Sequence, residues 1–394
     1  MAVKGIQDID IKGKKVFFRF DFNVPLGEGG EIKDETRIVR AIPTIRYAIN
    51  QGARSILSSH LGRPKGERKP ELSLRPVAQR IRELLGCDVR FVEDCIGPEV
   101  RKAVDTLPEG GVLLLENLRF HPGETRNDPN FARELALLAE VYVNDAFGTA
   151  HRAHASTEGV ARLLPVRAAG LLMKEELDNL AKAFSNPEKP VVALFGGAKV
   201  SDKIAVLKNI MHRMDTVLIG GGMANTFLKA QGATMGASQV EEDLLDIASE
   251  MGAAAEKAGC TVVLPSDVVI AERIEQGIPT EVVDVQALPH WAMALDIGPK
   301  TVEAFARKIA EAKTIIWNGP MGVFELEAFS RGTMEIARAV TFSGAFSVIG
   351  GGDTIRAVQQ AKVADKISYI STGGGAFMEF MEGKVLPGIA ALEV

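Results

Sequence analysis

Short apolar segments recur along the whole chain, and the residues that follow them differ between its two halves. In the first half the segments run into charged or amide residues, at 16–23, 55–63, 112–119 and 141–145. In the second half similar segments run into glycines, at 191–199, 217–222, 347–353 and 370–375. Ligands of open parallel α/β sheets bind beyond the carboxyl ends of the strands. The contrast therefore predicts a site for a small anion in the first half and one for a phosphate chain or flat base in the second.

Helical patterns lie between these segments, with amphipathic spacing at 75–85, 130–140 and 242–258. Strands that alternate with helices indicate βαβ units and a largely parallel sheet. A chain of 394 residues is too long for one core. We therefore expect an α/β fold with two doubly wound parallel-sheet (Rossmann-like) domains, joined by a helix at about 172–184 and a short hinge, with a cleft between them.

Composition narrows the class of protein. The chain is 46% hydrophobic and 25% charged, as in a soluble globular enzyme, and its formal net charge of −5 argues against nucleic acid as the main partner. Its three cysteines have no C-x-x-C spacing, which predicts reduced thiols of a cytoplasmic protein without a zinc site or disulfide framework. Residues 1–15 lack the apolar centre of a signal peptide, and we expect no membrane span.

The glycine turns of the second half favour a nucleotide or phosphate site, since backbone and helix N-termini can approach the anion. Neither a Walker P-loop nor a G-x-G-x-x-G fingerprint occurs. Lys199 and Lys203 flank one turn, where Ser201 could cap the next helix. Asp353 follows another turn and could bind Mg²⁺. The alternatives are turns without a ligand, two solvated lysines and a carboxylate that only caps a helix.

The first half offers an anion trap, since several cationic or imidazole side chains follow or flank strand ends: Arg37, His60, Arg63, Arg119 and Arg152. Surface ion pairs are the alternative for each arginine. Asp21 and Asn23 would share a face if they lay on a strand. The sequence His151-Arg152-Ala153-His154 lacks a further ligand nearby, so hydrogen-bonded histidines in a loop are expected there instead of a metal site.

Long motifs closely resemble those of the phosphoglycerate kinase family, in order and along the whole chain, at 19–25, 59–66, 116–120, 144–152, 196–203, 317–325, 350–354 and 371–376. The resemblance implies reversible phosphoryl transfer between 1,3-bisphosphoglycerate and ADP, which gives 3-phosphoglycerate and MgATP in glycolysis and gluconeogenesis. It also implies that the C-terminal tail returns to the first domain. The implied domains are 1–170 with 380–394 for the glycerate, 171–185 as the connecting helix, and 186–379 for the nucleotide.

The resemblance also implies a role for individual residues. The glycerate ligand would be bound by Asp21, Asn23, Arg37, His60, Arg63, Arg119 and Arg152. The catalytic residues would be Arg37, Lys203 and Lys199. The nucleotide would be bound by Gly197, Ala198, Lys203, Gly221, Gly222, Leu295, Asn318, Val323, Glu325, Gly351, Gly352, Asp353, Thr354, Gly373 and Gly374, and Mg²⁺ by Asp353. ATP and ADP would be co-substrates, and the protein is expected to be a cytoplasmic monomer.

Tyr369 is a departure from the resemblance, because histidine is expected there in many members. Two other functions remain open from the residues alone. A non-catalytic sensor of a phosphorylated metabolite would need neither Lys203 nor Asp353. A dinucleotide oxidoreductase would need the missing glycine fingerprint.

Overall fold

A computed structural model describes residues 3–393, which form two compact units. The first unit contains the described residues up to Leu177 and those from Val385 onward, and the second is Asp178–Lys384. Each unit is built on a six-stranded parallel sheet. The expected fold class, two parallel-sheet α/β domains, is confirmed.

The first sheet has the strand order β3-β4-β2-β1-β5-β6, with every neighbouring pair parallel. Its strands are β1 (Lys15–Arg19), β2 (Arg54–Ser58), β3 (Val89–Val92), β4 (Val112–Leu115), β5 (Val141–Asn144) and β6 (Val166–Ala169). Its helices are α1 (Thr36–Asn50), α2 (Arg75–Leu85), α3 (Pro98–Asp105), α4 (Pro122–Thr125), α5 (Pro129–Ala136) and α6 (Val160–Leu163). The chain crosses to the second unit within α7 (Leu171–Leu180).

The second sheet has the order β15-β14-β13-β7-β8-β9 and is also parallel throughout. A smaller sheet, β11-β10-β12, is antiparallel. The strands are β7 (Val191–Phe195), β8 (Thr216–Ile219), β9 (Thr261–Val263), β10 (Asp267–Ala271), β11 (Glu281–Asp284), β12 (Met293–Ile297), β13 (Thr314–Asn318), β14 (Phe346–Ile349) and β15 (Tyr369–Ile370).

The remaining helices follow these strands. They are α8 (Ile204–Ile210), α9 (Gly222–Ala230), α10 (Leu245–Lys257), α11 (Pro299–Glu311), α12 (Arg331–Phe342), α13 (Gly352–Gln360), α14 (Gly375–Met381) and α15 (Pro387–Ala390), the last in the first unit. Within residues 3–393, no helix combines the length and apolar character that a membrane span requires.

The strands form because their sequences are short, apolar and covered on both faces. All residues of β4 and β13 are buried, although successive side chains point to opposite faces of the sheet. Runs of this kind are typical of parallel sheets with helices on both sides. Phe18, Leu57 and Leu114 belong to the core of the first unit, and Leu194 and Trp317 to that of the second.

The predicted helices are found with small shifts. The helix expected at 75–85 is α2, and Gly86 ends it with a left-handed φ of 70°. The helix expected at 130–140 is the shorter α5, and that expected at 242–258 is α10, which begins after a 3₁₀ turn at Glu242–Leu244. The small antiparallel sheet is absent from the sequence-based expectation.

Each parallel sheet has a point at which the strand order reverses. In the first sheet this point lies beside β1, which has β2 on one side and β5 on the other. In the second it lies beside β7, between β13 and β8. Ligands of doubly wound sheets bind at such points, beyond the carboxyl ends of the strands. The charged and glycine-rich segments follow these same strands.

Candidate functional site

Asp21, Asn23 and Arg37 meet at the end of β1. Arg37 lies in the first turn of α1, and its Nη1 is 2.8 Å from Asp21 Oδ2. The Asn23 backbone N–H donates to Asp21 Oδ1 over 3.1 Å, and Asn23 Oδ1 accepts from the Gly62 N–H over 2.8 Å. Because β1 ends at Arg19, Asp21 and Asn23 lie in the following loop, so the condition for a shared strand face is not met.

His60 is buried after β2 and lies against arginines. Its Nδ1 is 3.1 Å from Nη2 of Arg19, a fully buried side chain whose Nε donates to Ser156 Oγ over 2.8 Å. Burial, and then the charges of Arg19, Arg119, Arg152 and Arg37, hold the pKa of His60 well below its usual value. His60 is therefore neutral at pH 7, and it offers a hydrogen bond without adding charge.

Arg119 and Arg152 lie in the same electrostatic environment. Arg119 is 7% exposed, and its Nη1 donates to Gly62 O over 2.8 Å. Burial, with the charges of Arg19 and Arg152, lowers the pKa of Arg119 to about 10, so it remains charged at pH 7. Arg152 Nε lies 3.1 Å from His151 Nε2. Arg63 is exposed. It directly follows Gly62, whose carbonyl accepts from Arg119 and whose N–H donates to Asn23.

The first unit therefore surrounds neutral imidazoles with positively charged arginines. Burial and the nearby arginines Arg119, Arg19 and Arg152 lower the pKa of His154 to about 3. The buried carboxylate of Glu124 balances part of this charge through its interaction with Arg119. It also accepts hydrogen bonds from the Ser156 N–H and hydroxyl over 3.0 and 2.6 Å. Guanidinium groups that repel one another gain stability when a carboxylate or phosphate binds between them. We call Asp21, Asn23, Arg37, His60, Arg63, Arg119 and Arg152 the arginine site.

Eight of the predicted nucleotide residues line one cavity of about 230 Å³ in the second unit. They are Gly197, Ala198, Gly221, Gly222, Leu295, Val323, Glu325 and Asp353. The cavity lies at the strand-order reversal, where the Gly196 N–H donates to Asn318 O and the Gly197 N–H to Pro320 O, each over 3.1 Å. We call this space the glycine cavity.

Gly221 shows why glycine is needed at this turn. Its φ is +67°, and an added Cβ would lie 2.8 Å from Gly197 N and 2.9 Å from Pro320 O. Any side chain would force apart the turns that follow β7 and β13, and it would also strain the backbone. The turn leads directly into α9, whose first residue is Gly222. The close approach thus leaves the backbone bare beside the cavity.

Lys203 links a second group of predicted residues. Its Nζ donates to Asn318 Oδ1 and lies 3.4 Å from Met378 Sδ on α14, the helix that follows Gly373 and Gly374. Asn318 Nδ2 donates to Gly350 O over 2.7 Å, and the Gly319 N–H donates to Thr354 Oγ1 over 2.7 Å. Burial lowers the pKa of Lys203 to about 8, although Asp202, Asp353 and Glu382 oppose the shift.

Lys199 and Ser201 are placed differently from Lys203. Lys199 is exposed, and its charge acts on Glu241. Ser201 Oγ donates to Glu241 Oε1 over 2.6 Å, while α8 begins after Lys203. The expectation that Ser201 caps this helix is therefore wrong, because Glu241 takes up its hydroxyl.

Asp353 lies in the first turn of α13, which begins at Gly352 after the Gly351 N-cap. Its Oδ1 is 2.8 Å from Arg356 Nη2, which also lies 3.4 Å from Glu325 Oε1. The Asp353 side chain is 64% exposed, and it borders the glycine cavity. A hard carboxylate oxygen that is open to solvent beside a phosphate-accessible turn fits the donor preference of Mg²⁺.

Further residues line the glycine cavity that the sequence did not predict. They are Asn225, Gln239, Ile274, Met293, Ala294, Pro320 and Gly322. Ile274 is 53% exposed, and it follows β10, while Met293 and Ala294 belong to β12. In the first unit the buried Arg19 was missed as a member of the group, although it ends β1 inside a motif. An arginine closing an apolar strand was the available signal.

Comparisons with a family model, with related sequences and with solved structures all point to the same family. The family model of phosphoglycerate kinase matches residues 6–384. A phosphoglycerate kinase of Moorella thermoacetica is 56% identical over 100% of this chain and 99% of its own length, and one of Koribacter versatilis is 55% identical with the same coverage. The solved phosphoglycerate kinase of Coxiella burnetii has a TM-score of 0.94 at 42% identity, covering 99% of each chain.

Proposed function

Because the chain belongs to the phosphoglycerate kinase family, we propose that its two sites carry out that family's reaction together. The reaction is the reversible transfer of a phosphoryl group between 1,3-bisphosphoglycerate and MgADP, which gives 3-phosphoglycerate and MgATP. The observation that carries the assignment of roles is the contrast between the sites. The first unit gathers arginines around the neutral His60, whereas the second unit contains a glycine-lined cavity with Lys203 nearby.

The arginine site binds 3-phosphoglycerate in this proposal. Arg63, Arg119 and Arg152 meet its anionic groups, and Asp21 and Asn23 offer hydrogen bonds to a hydroxyl. His60 stays neutral, so it orients the ligand without competing for a proton. Arg37, which Asp21 holds at 2.8 Å, lies on α1 and meets the transferring group. The acceptor carboxylate is already a nucleophile, so the site needs no general base.

The glycine cavity binds the nucleotide. Gly197, Ala198, Gly221, Gly222, Leu295 and Val323 would surround adenine, and Glu325 would meet the ribose. Asn318, Thr354 and the turns at Gly351–Gly352 and Gly373–Gly374 would meet the phosphates. The helix N-termini of α13 and α14 follow these glycines and favour negative charge.

Lys203 neutralises charge on the phosphoryl group in flight, and the exposed Lys199 assists. Electrostatic stabilisation of this kind is the main source of rate in phosphoryl transfer. Asp353 would hold Mg²⁺ through its carboxylate. When bound, the ion supplies charge neutralisation on the phosphate oxygens. Arg356 bridges that carboxylate and Glu325, with its Nη2 2.8 Å from Asp353 Oδ1 and 3.4 Å from Glu325 Oε1.

The division into a glycerate domain (1–170 with 380–394), a connecting helix (171–185) and a nucleotide domain (186–379) stays a prediction. Transfer needs the reacting atoms to approach within about 3–3.5 Å, so we expect closure about the connecting helix during turnover. A monomer in the cytoplasm, without nucleic-acid or membrane partners, completes the proposal.

The deciding experiment measures ATP formation from 1,3-bisphosphoglycerate and MgADP with the purified chain. We expect turnover that depends on both substrates and on Mg²⁺, and that reverses with 3-phosphoglycerate and MgATP. The Asp353→Asn variant, prepared in parallel, separates this activity from a contaminating kinase. Equal ATP formation by the variant and the natural chain would contradict the assignment of the site.

A further inference from the structure

Three metal-ligating side chains meet in the first unit at a place that the proposed reaction does not use. They are Asp94, Cys95 and His121, and their ligand atoms all lie within 4.8 Å of one another. Asp94 and Cys95 follow β3, and His121 follows the 3₁₀ turn Leu118–Phe120 after β4. Since β3 and β4 are parallel neighbours, their carboxyl ends bring these two segments together.

The backbone around this cluster is well anchored. His121 Nε2 lies 2.6 Å from Asp94 Oδ1, and the Cys95 backbone N–H donates to the same oxygen over 2.7 Å. The imidazole stacks on Phe131 with the ring centroids 5.2 Å apart. The His121 carbonyl accepts from the Glu124 N–H over 3.2 Å. The three side chains are therefore held close before any ligand arrives, which lowers the cost of gathering them.

The cluster is sealed on one side and open on the other. Cys95 is 1% exposed, whereas the side chains of Asp94 and His121 are 46% and 29% exposed. A small ion can thus reach the cluster from the carboxylate and imidazole side. Three carboxylates, those of Asp94, Glu124 and Glu116, act electrostatically on the sulfur, and they would attract a cation to this place.

We propose that Asp94, Cys95 and His121 form a binding site for a thiophilic divalent cation of the Zn²⁺ class, with solvent in the fourth position. Thiolate, imidazole and carboxylate are the ligands that Zn²⁺ takes in tetrahedral sites, with bonds of about 2.0–2.3 Å. Such bonds place the donor atoms roughly 3.3–3.8 Å apart. The Asp94–His121 contact has to open by about 1 Å, which two part-exposed side chains allow.

The binding step balances in protons. The Cys95 S–H bond breaks, the sulfur–metal bond forms, and the thiol proton leaves to solvent. The hydrogen bond between His121 Nε2 and Asp94 Oδ1 breaks, and the neutral imidazole carries its ring proton on Nδ1, so that Nε2 and the carboxylate oxygen can both bind the metal. Mg²⁺ is a poor occupant, since it requires oxygen ligands in an octahedral arrangement. The site is therefore distinct in chemistry from the one proposed at Asp353.

The test titrates Co²⁺, as a coloured substitute for Zn²⁺, into the reduced full-length chain without nucleotide. We expect one equivalent to produce the near-ultraviolet charge-transfer absorption of a thiolate–cobalt bond, and Zn²⁺ to abolish it. Cys95→Ser should remove the absorption. Cys260→Ser is the matched control, since Cys260 is the other buried cysteine in the described chain, and it should leave the absorption unchanged. The exposed Cys87, changed to Ser, is the control for adventitious binding.

A chain that gives no such absorption at millimolar Co²⁺ overturns the proposal. So does absorption that survives Cys95→Ser or disappears with Cys87→Ser. If circular dichroism shows that Cys95→Ser is unfolded, His121→Asn and Asp94→Asn retain the thiol and decide the question. Each should weaken Co²⁺ binding at least about tenfold. Unchanged affinity in both variants would leave the imidazole and carboxylate without a role, and the three-ligand site would be wrong.

Discussion

The amine of Lys203 donates a hydrogen bond to the side-chain oxygen of Asn318. Lys203 directly precedes α8, and Asn318 is the last residue of β13, so the bond spans the strand-order reversal of the second sheet. It places a part-buried cation beside the glycine turns at Gly350–Gly351. Burial also brings the pKa of Lys203 down to about 8, close to the working range of an enzyme.

Replacing Lys203 by Ala should lower kcat far more than it raises KM for ATP. The amine is proposed to meet charge that develops only during transfer, so its loss falls on the transition state. We expect a loss of about 10²–10³ in kcat. Steady-state kinetics in both directions would measure it. Lys199→Ala is the control, since Lys199 is exposed, and it should have a much smaller effect. Near-normal kcat in Lys203→Ala would refute the role.

The kcat/KM for MgADP should fall as pH rises above about 8. The Lys203 pKa of about 8 means that the free protein loses this positive charge there, and kcat/KM reports the free enzyme. In Lys203→Arg the guanidinium stays charged, so any residual activity should lack this decline. A pH–rate profile from 6 to 9.5 tests both chains. An identical decline in the two would assign it to another group.

Removing the positive charge of Arg119 should weaken 3-phosphoglycerate binding and leave nucleotide binding nearly unchanged. Arg119 belongs to the arginine site. It donates a hydrogen bond to Gly62 O and is repelled by the charges of Arg19 and Arg152, all of which lie in the first unit. Calorimetry on Arg119→Ala and Arg63→Ala would measure both ligands. Arg133→Ala, on the exposed face of α5, is the matched control. Equal losses for the glycerate and the nucleotide would contradict the division between the units.

Asp353 and Arg356 should have opposite effects on the Mg²⁺ requirement. Asp353→Asn removes a proposed ligand, so the Mg²⁺ concentration for half-maximal activity should rise on the order of 10–100-fold. Arg356→Ala frees the carboxylate from a cation at 2.8 Å, so this concentration should fall, by at most about fivefold because the pair is exposed. Arg338→Ala breaks an equivalent pair with Glu335, three residues away on α12, and should change nothing. A raised requirement in Arg356→Ala would show that the arginine helps binding.

The parts of the fold that follow local rules could be predicted from the sequence. Helix α2 has both an amphipathic face and Gly86, whose left-handed conformation ends it. The glycine turns mark their own position, because a side chain at Gly221 would meet the backbone of another turn. Such signals lie within a few residues of the structure that they determine. The family resemblance then supplied roles that the residues alone left open.

The features that could not be predicted depend on contacts between residues that are far apart in the sequence. Arg19 can be buried because Ser156 Oγ and His60 Nδ1, both far along the chain, accept hydrogen bonds from its guanidinium group. The small sheet β11-β10-β12 was missed because β11 is largely exposed and carries no apolar alternation. Ile274 and Met293 line the glycine cavity through that sheet, so they were missed with it. The Asp94–Cys95–His121 cluster likewise joins residues from the loops after two strands, without a local metal motif.

The pH dependence of unfolding in the second unit should include a contribution from Asp296. This carboxylate, on β12, is 4% exposed and accepts from the Gly332 and Ile297 N–H groups over 2.7 and 2.9 Å. Burial outweighs these bonds and raises the pKa of Asp296 from 3.8 to about 7. The folded unit therefore holds a proton that the unfolded chain has lost between pH 4 and 7.

Stability from this proton is complete below about pH 4 and is lost as pH rises through 7, with a slope of at most about 1.4 kcal/mol per pH unit. Asp296→Asn has no proton to lose, so its stability should depend less on pH in this window. Tryptophan fluorescence in urea isolates the effect, because both tryptophans, Trp291 and Trp317, lie in the second unit. The buried Asp145, whose pKa is raised to about 6 by burial, lies in the first unit and does not contribute to that signal directly. The natural chain should lose stability relative to Asp296→Asn between pH 5 and 7.5. Parallel pH profiles for the two chains would show that Asp296 is already ionised in the folded unit.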